Sequence, residues 1–263
     1  MEVNQKQLVN KPIIITEYPK SGGTWITSMI GDALGIPMRD IYMRPGFKLF
    51  KTDKHPWYRS APDLDFPMPS VIKSHELPGS QLIDFDATFV HLVRDGRDVV
   101  VSKWFFEKYF CVKNNIIPTF DKQFDAYVKE TANEWCNYVN AWAGHSAITI
   151  KYEDFLYDPI QSLGNLLKHF TNNVFTHAEI KRTVMKYKKD RFAALFHETF
   201  RYNTVVRKCI SGDWKNYFSE KNIAEFESIA GKSLVSLGYE LKTQFKRWPH
   251  SRTWRAKIYW MLH

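Results

Sequence analysis

The fold of this chain is decided by residues 12–25, PIIITEYPKSGGTW. Pro12–Tyr18 is a short run rich in β-branched residues, which is typical of a buried strand. Pro19–Gly23 is rich in turn formers, and Thr24–Leu34 is predicted to be a helix. Glycines between a strand and a helix let backbone N–H groups close around a phosphate, and the helix N-terminus adds a positive dipole. The P-loop pattern of nucleoside triphosphatases, GxxxxGK(S/T), is not matched, because Lys20 precedes the glycines and there is no Gly-Lys pair. An ordinary tight turn is the alternative interpretation.

Strands and helices alternate along the rest of the chain. Three more strands are predicted at Ser70–Lys73, Thr88–Val93 and Ala147–Tyr152, and helices at Asp95 to about Tyr109, Asp121–Ala143, Pro159–Phe170 and Thr176 to about Tyr187. Arg39–Pro69 contains five prolines and is predicted to be irregular. The alternation predicts an α/β fold, a single domain over residues 1–263 whose central parallel sheet carries helices on both faces. Such sheets bind ligands beyond the C-terminal ends of their strands.

Composition narrows the functional classes. Hydrophobic residues make up 44% and charged residues 25%, an ordinary globular balance with material for a core. Lys and Arg number 37 against 28 Asp and Glu, so the net charge of +9 favours an anionic partner, a merely basic surface being the equal alternative. Cys111, Cys136 and Cys209 are widely spaced without a CxxC pair, which argues against a disulfide scaffold or a zinc site. Met1–Lys11 has no apolar signal core, and no run approaches the roughly 18 apolar residues of a membrane span, so we expect a cytoplasmic protein.

Four further motifs accompany residues 18–25. They are Lys73-Ser74-His75, Arg94–Ser102 (RDGRDVVVS), Tyr152-Glu153-Asp154 and Arg207–Lys215 (RKCISGDWK). Together with Tyr18–Trp25, and in this order, they resemble the signatures of the cytosolic, small-molecule family of PAPS-dependent sulfotransferases, PAPS being 3′-phosphoadenosine 5′-phosphosulfate. The resemblance extends from about Ile13 to Phe218. One such motif would be weak, whereas five in order make chance a poor explanation.

The resemblance implies a reaction and a donor site. The family transfers a sulfuryl group from PAPS to a hydroxyl or amine of a small molecule by in-line displacement, and it releases PAP, 3′-phosphoadenosine 5′-phosphate, without a metal. The P-loop-like loop that binds the 5′-phosphosulfate corresponds to Lys20, Ser21, Gly22, Gly23, Thr24 and Trp25. The residues implied at the 3′-phosphate are Arg94, Ser102, Arg207, Lys208 and the backbone of Cys209. The adenine is expected against Trp25, Tyr152 and, less directly, Phe192.

Elementary chemistry assigns the catalytic roles in a compatible way. Sulfuryl transfer resembles phosphoryl transfer, in which the protein supplies positioning and charge. His75 is the predicted base, because its unperturbed pKa lies near neutrality. Lys20 is predicted to stabilise charge on the departing phosphate oxygen. Lys73 is predicted to assist at the sulfate, a solvated lysine being the alternative. Arg97 and Asp98 are expected on the surface of their helix.

The chain departs from the family pattern in two places. Cys209 stands where the family usually has glycine, so a positive φ at this position would be strained. Lys215–Ala224 lacks the Thr, Val and Glu of the family's dimer motif KxxxTVxxxE, which predicts a monomer or a non-standard oligomer. The basic, aromatic segment Lys242–His263 suits an anionic membrane surface or a partner, although a tail packed on the domain is the favoured interpretation.

The acceptor is predicted only as a class. Its pocket is expected between Arg39–Pro69, Phe105–Phe120 and Phe196–Val206, whose candidate lining residues are Tyr42, Phe47, Trp57, Tyr58, Phe105, Phe106, Tyr109, His197 and Tyr202. Aromatic side chains suit an apolar, aromatic or cationic small molecule, and no nucleic-acid partner is expected. Two other functions stay open: a P-loop kinase-type phosphoryl transferase, and a PAP-binding protein without catalysis.

Overall fold

A single parallel sheet organises the chain. The computed structural model describes residues 9–42, 64–65, 67–113, 115–145, 147–197 and 206–243. Its strands are β1 (Ile13–Glu17), β2 (Met38–Asp40), β3 (Val71–Ser74), β4 (Thr88–Val93) and β5 (Ile148–Lys151). All are parallel to their neighbours, in the order β2-β3-β1-β4-β5. The predicted α/β fold with a central parallel sheet is confirmed.

Helices cover both faces of this sheet. They are α1 (Gly23–Leu34), α2 (Gly96–Phe105), α3 (Phe124–Trp142), α4 (Tyr152–Tyr157), α5 (Pro159–Leu167), α6 (His177–Lys186), α7 (Lys189–His197) and α8 (Glu220–Ser236). On β4, Val90 and Leu92 point to the core shared with α1 and α5. Phe89 and His91 point the other way, with ring centres 5.9 and 6.1 Å from that of Trp142 on α3. This alternation is the period of a strand buried on both faces.

Several predicted boundaries differ from the observed ones. Arg39–Pro69 was predicted to be irregular, but its first residues belong to β2, a strand too short to show a sequence period. Tyr152 begins α4 and does not end β5. The helix predicted as far as about Tyr109 changes at Phe106 into a π-helix that runs to Cys111. Helix α8 was not predicted, although Ser219 and Asn222 form a capping box at its start. Residues 43–63 lie outside the described part of the chain.

The prediction that Arg97 and Asp98 lie on the helix surface is wrong. Their exposed fractions are 3% and 1%. Arg97 forms a 2.9 Å ion pair with Glu227 of α8, and its guanidinium lies 4.3 Å from the ring centre of Trp214. Asp98 accepts backbone N–H bonds from Gly212 at 2.6 Å and Trp214 at 2.9 Å. The first turn of α2 is buried because α8 and the 3₁₀-helix Asp213–Asn216 cover it, and these contacts satisfy its charges.

The C-terminal segment Lys242–His263 is described only at its first two residues. Lys242 donates a backbone N–H to Glu227, and its ammonium pairs with Glu220 at 2.8 Å. The rest of the segment lies outside the described residues, so both interpretations stay predictions: the favoured one, a tail packed on the domain, and the alternative, a membrane or partner contact. Within the described ranges, no helix combines the length and the apolar character that a bilayer crossing requires.

Candidate active site

The predicted site residues meet at the C-terminal edge of the sheet. β1 ends at Glu17 and leads directly into residues 18–25, which we call the glycine loop. β3 is followed by His75, and β4 by Arg94. The connection after β1 leads to β2 on one side of the sheet, and the connection after β4 leads to β5 on the other. Open α/β sheets form their ligand-binding crevice where the connections diverge in this way. The strand order therefore brings together motifs that are far apart in sequence.

The glycine loop is wound tightly against Tyr152. Gly22 has φ 104°, and a Cβ on it would lie 2.5 Å from Cδ2 of Tyr152, so only glycine fits there. Lys20 also has a positive φ of 75°, an uncommon conformation for a residue with a side chain. The buried Ser21 hydroxyl donates to the Tyr18 carbonyl at 2.7 Å and so holds the turn. Thr24 is half-buried in the first turn of α1. Left-handed steps of this kind turn successive backbone N–H groups toward an anion.

His75 and Lys73 form a contact that fixes the imidazole tautomer. Nδ1 of His75 lies 2.9 Å from the Glu17 carbonyl, which can only accept, and Nε2 lies 3.1 Å from the Lys73 ammonium, which can only donate. Nδ1 therefore carries the proton, and Nε2 presents its lone pair. Burial, together with the charge of Lys73, lowers the pKa of His75 below its usual value. The imidazole is thus neutral at physiological pH, and its Nε2 lone pair faces the Lys73 ammonium.

Two carboxylates beside Lys73 were missed by the sequence analysis. Asp40, at the end of β2, pairs with Lys73 Nζ at 2.8 Å. Burial opposes ionisation of Asp40, but the Lys73 ammonium overrides it and holds the pKa below its usual value. Glu17 Oε1 lies 3.9 Å from Lys73 Nζ, and its Oε2 accepts the N–H of Gly23 at 2.6 Å. Glu17 had a detectable signal, a charge at the end of an apolar strand. Asp40 had none, because only the pairing of β2 with β3 brings it to Lys73.

The predicted leaving-group lysine, Lys20, packs on an aromatic ring. Its Nζ lies 3.9 Å from the ring centre of Phe106, the first residue of the π-helix. Burial, and after it the charge of Lys73, lowers the pKa of Lys20 to about 8. Short π-helical segments are frequent at functional sites, and this one places Phe106 against the glycine loop. Lys20 is thus a cation at neutral pH whose side chain is positioned by a cation–π contact.

Arg94 connects the glycine loop to the C-terminal motif. Its guanidinium donates to the carbonyls of Lys20 at 3.1 Å and Ile210 at 3.4 Å, and it lies 4.5 Å from the ring centre of Tyr152. Arg94 is buried, and its Nε is a buried donor that has no partner in the described part of the chain. A buried N–H of this kind costs free energy unless a ligand accepts from it.

The other predicted 3′-phosphate residues lie beside this connection. Arg207 and Lys208 both pair with the buried Asp213, at 2.6 and 2.9 Å. The Arg207 guanidinium lies 4.8 Å from the ring centre of Phe105, and Ser102 is on the same face of α2, three residues earlier. The Nε of Arg207 is a second buried donor without a partner among the described residues. Two cations with one carboxylate between them leave a net positive charge at this end of the crevice.

Cys209, which stands where the family usually has glycine, has a positive φ. Its φ is 53°, a conformation that is strained for a residue with a side chain. Burial raises the pKa of its thiol. The strain expected for a positive φ at this position is therefore present.

The aromatic residues predicted around adenine form one neighbourhood. Trp25 meets Tyr152 edge to face, with 5.8 Å between ring centres, and its Nε1 donates to the Tyr187 carbonyl at 2.9 Å. Phe192 on α7 is buried, with its ring centre 6.1 Å from that of Tyr187. Trp25 also packs against the buried cluster that contains Phe192 and Phe110. The structure brings the three residues together, and their contact with adenine stays a prediction.

Part of the predicted acceptor lining is described. Tyr42 stacks on His75 with ring centres 5.3 Å apart, and its hydroxyl donates to the Glu76 carboxylate at 2.6 Å. Phe105 packs under Arg207 and so lies on the side of the predicted 3′-phosphate residues. Tyr109 stacks on Phe105. The predicted lining residues outside the described side chains are Phe47, Trp57, Tyr58, His197 and Tyr202.

We expect that replacing Asp98 with asparagine lowers the free energy of unfolding by about 2 kcal/mol. Gly212 and Trp214 donate to different carboxylate oxygens, and an amide would turn its NH2 group toward one of these N–H donors. The affinity for PAP should fall as well, since the anchored segment carries Arg207. Urea unfolding and calorimetric titration with PAP measure the two effects. Asp125→Asn, at an exposed carboxylate beside Asn222, should change neither. Equal effects of both variants would contradict the anchoring role.

Comparisons with known proteins agree with these motifs. A family model described as "Sulfotransferase domain" matches residues 10–238. Sulfotransferase 1B1 of the dog, Canis lupus familiaris, is 25% identical over 285 residues, covering 92% of this chain and 90% of that protein. Human sulfotransferase 2A1 is 23% identical over 261 residues, covering 88% of this chain and 87% of that protein.

Solved structures share the fold. A mouse sulfotransferase complexed with PAP superposes with a TM-score of 0.65 at 19% identity, over 86% of this chain and 85% of that one. Retinol dehydratase in complex with androsterone and the inactive cofactor PAP superposes with a TM-score of 0.62 at 16% identity, over 93% of this chain and 84% of that one. These likenesses support the fold, and the family match covers most of the chain. The chain therefore belongs to the sulfotransferase family and is a PAPS-dependent sulfotransferase.

Proposed function

We propose that this protein transfers the sulfuryl group of PAPS to a hydroxyl or amine of a small-molecule acceptor, with His75 as the base. The carrying observation is the neutral His75, whose Nε2 lone pair lies beside Lys73 at the strand end adjoining the glycine loop. A base in this position takes the proton of the acceptor while the acceptor oxygen or nitrogen attacks sulfur. A nucleotide-binding protein without catalysis would have no need for it.

Lys73 and Lys20 are proposed to stabilise negative charge at two different places in the transition state. When the acceptor hydroxyl replaces Lys73 at Nε2, the ammonium is released to an oxygen of the transferred group, and Asp40 limits how far it moves. Lys20 neutralises the phosphate oxygen that is left when the bond to sulfur breaks. The transition state of such a transfer is loose, so positioning and charge supply most of the catalysis.

We propose a site for the 3′-phosphate of the donor at the end of the crevice that holds Arg94 and Arg207. Arg94 and Arg207 each hold a buried Nε–H that has no acceptor within the described ranges, and guanidinium groups bind phosphate through several directed bonds. We propose that Arg94, Arg207, Lys208 and Ser102 bind this phosphate. Trp25, Tyr152 and Phe192 would hold the adenine between the two ends.

The acceptor is proposed to be an apolar, aromatic or cationic small molecule. Tyr42 stacks directly on the proposed base, so one wall beside His75 is aromatic. Structurally similar retinol dehydratase has been solved with androsterone, a small apolar alcohol, which is compatible with this class. The geometry supports small acceptors that bring a hydroxyl or amine to His75 Nε2.

Transfer of label from ³⁵S-PAPS to a panel of phenols, aliphatic alcohols and amines tests the proposal. We expect a labelled product with at least one acceptor, formation of PAP in equal amount, and no requirement for added magnesium. Magnesium-dependent phosphoryl transfer from ATP, with no sulfuryl transfer, would indicate the kinase-type alternative. Tight PAP binding without transfer to any acceptor would indicate the non-catalytic one.

A further inference from the structure

Glu17 and Gly23 are fitted to each other at the start of the glycine loop. Glu17 ends β1 and is only 1% exposed, and its Oε2 accepts the Gly23 N–H at 2.6 Å. A Cβ on residue 23 would lie 2.2 Å from Glu17 Oε1. Any other residue at position 23 would therefore displace the carboxyl group. The carboxyl group fills the space beside Gly23 and accepts its N–H. Without the carboxyl group, the first turn of α1 would leave both to a ligand.

This N–H belongs to the positive end of α1. Gly23 is the first residue of the helix, where unpaired N–H groups and the dipole favour an anion. The 5′-phosphosulfate of the donor is such an anion, and the glycine loop is its proposed binding site. An ionised Glu17 would repel an anion at this helix start, because its carboxyl group holds the Gly23 N–H and is buried, where charge is poorly screened. Protonation of the carboxyl group would remove this repulsion.

We propose that Glu17 couples donor binding to proton uptake, because the 5′ end of the donor binds to the form of the protein in which the Glu17 carboxyl group is neutral. The inference rests on the proposed function. It assigns a role to a residue outside the base, the lysines and the phosphate-binding arginines. Donor capture would then respond to pH through the glycine loop itself.

The surroundings of Glu17 keep both protonation states accessible. The charged and titratable groups that act on its carboxyl group are Lys73 on β3, Lys20 in the glycine loop, Asp40 on β2 and Tyr138 on α3, while His75 binds the Glu17 carbonyl. Burial outweighs the two lysines and the Gly23 N–H bond, all of which favour the ionised form, and raises the pKa of Glu17 to about 7. Both forms are therefore populated near neutral pH.

The sign of the effect follows from linkage. A bound anion raises the pKa of Glu17 further, so the complex holds a proton that the free protein has partly lost. Donor affinity is then full below the pKa of the free protein and declines as the pH rises through about 7. For one proton, the limiting decline is about tenfold per pH unit.

Calorimetric titration with PAP at pH 7.0, in two buffers of different ionisation enthalpy, measures the protons taken up. The matched variant is Glu17→Gln, which keeps the size and an oxygen for the Gly23 N–H but does not titrate. We expect wild type to take up about half a proton more than the variant. Between pH 6.0 and 7.5, the wild-type affinity should fall about fourfold relative to the variant. The phosphates of PAP titrate in both proteins, so their contribution cancels in the difference. Lys20 contributes together with Glu17, because the Glu17 charge raises the pKa of Lys20.

A second variant, Glu17→Ala, leaves the Gly23 N–H to the ligand and should also lose the excess proton uptake. Thermal melting establishes that each variant is folded. Equal proton uptake in wild type and the folded variants would overturn the role of Glu17 and leave the proposed function standing. Loss of PAP binding in both folded variants would also overturn it. Absence of PAP binding by the wild-type protein at every pH would overturn the proposed function itself.

Discussion

Replacing His75 with alanine should reduce kcat about a thousandfold while the affinity for PAP stays nearly unchanged. The imidazole donates to the Glu17 carbonyl and faces Lys73 with Nε2, so its loss removes the proton acceptor and leaves the phosphate-binding groups in place. Steady-state turnover with the best acceptor and calorimetric titration with PAP separate the two quantities. Turnover close to that of wild type would remove the base assignment.

A second substitution distinguishes a base from a positioning residue. In His75→Asn, the amide can still donate to the Glu17 carbonyl but cannot take up a proton. We expect it to be as inactive as the alanine variant. Recovery of turnover in the asparagine variant would show that the hydrogen bond to β1 matters and that the proton is accepted elsewhere. His169→Ala, at an exposed histidine after α5, serves as the surface control and should keep full turnover.

The fold was largely predictable because most of its strands can be recognised from their own residues, without knowledge of tertiary contacts. β1 and β4 are short apolar runs that contain β-branched residues, and this local composition predicts buried strands. β2 has three residues, and it becomes a strand only by pairing with β3. The π-helix after Phe105 likewise has no periodic signature, since it depends on how α2 packs against its neighbours. Elements defined by tertiary contacts are those that the sequence pattern could not reveal.

The site shows the same division. Lys20, His75 and Arg94 stand in motifs, so their roles could be predicted before any coordinates were known. Asp98 was misjudged because a carboxylate near a helix start is usually exposed, whereas here two N–H groups from a distant segment stabilise it in the interior. Asp40 reaches Lys73 only through the sheet. The predicted ligand-binding residues stand in recognisable sequence motifs. The residues that position them need not stand in such a motif.

Replacing Arg94 with alanine should weaken PAP binding by roughly 30- to 100-fold, the cost of losing charge-assisted hydrogen bonds to a buried phosphate. The PAP affinity of Arg94→Lys should fall between those of wild type and Arg94→Ala, because an ammonium keeps the charge but not the planar set of donors. Arg182→Ala, at an exposed position on α6, is the control for a general loss of positive charge and should bind PAP as wild type does.

Binding of a ligand that lacks the 3′-phosphate tests whether Arg94 contacts this phosphate. Arg94 also donates to the Lys20 carbonyl, so its loss could loosen the glycine loop without any direct effect at the 3′ end. Wild type should bind PAP far more tightly than adenosine 5′-monophosphate, and Arg94→Ala should lose most of that difference while its affinity for the monophosphate changes little. If both ligands weaken equally, Arg94 acts by holding the loop, and the 3′-phosphate is left to Arg207 and Lys208. Because the Arg94 Nε is a buried donor without an acceptor among the described residues, we expect the first result.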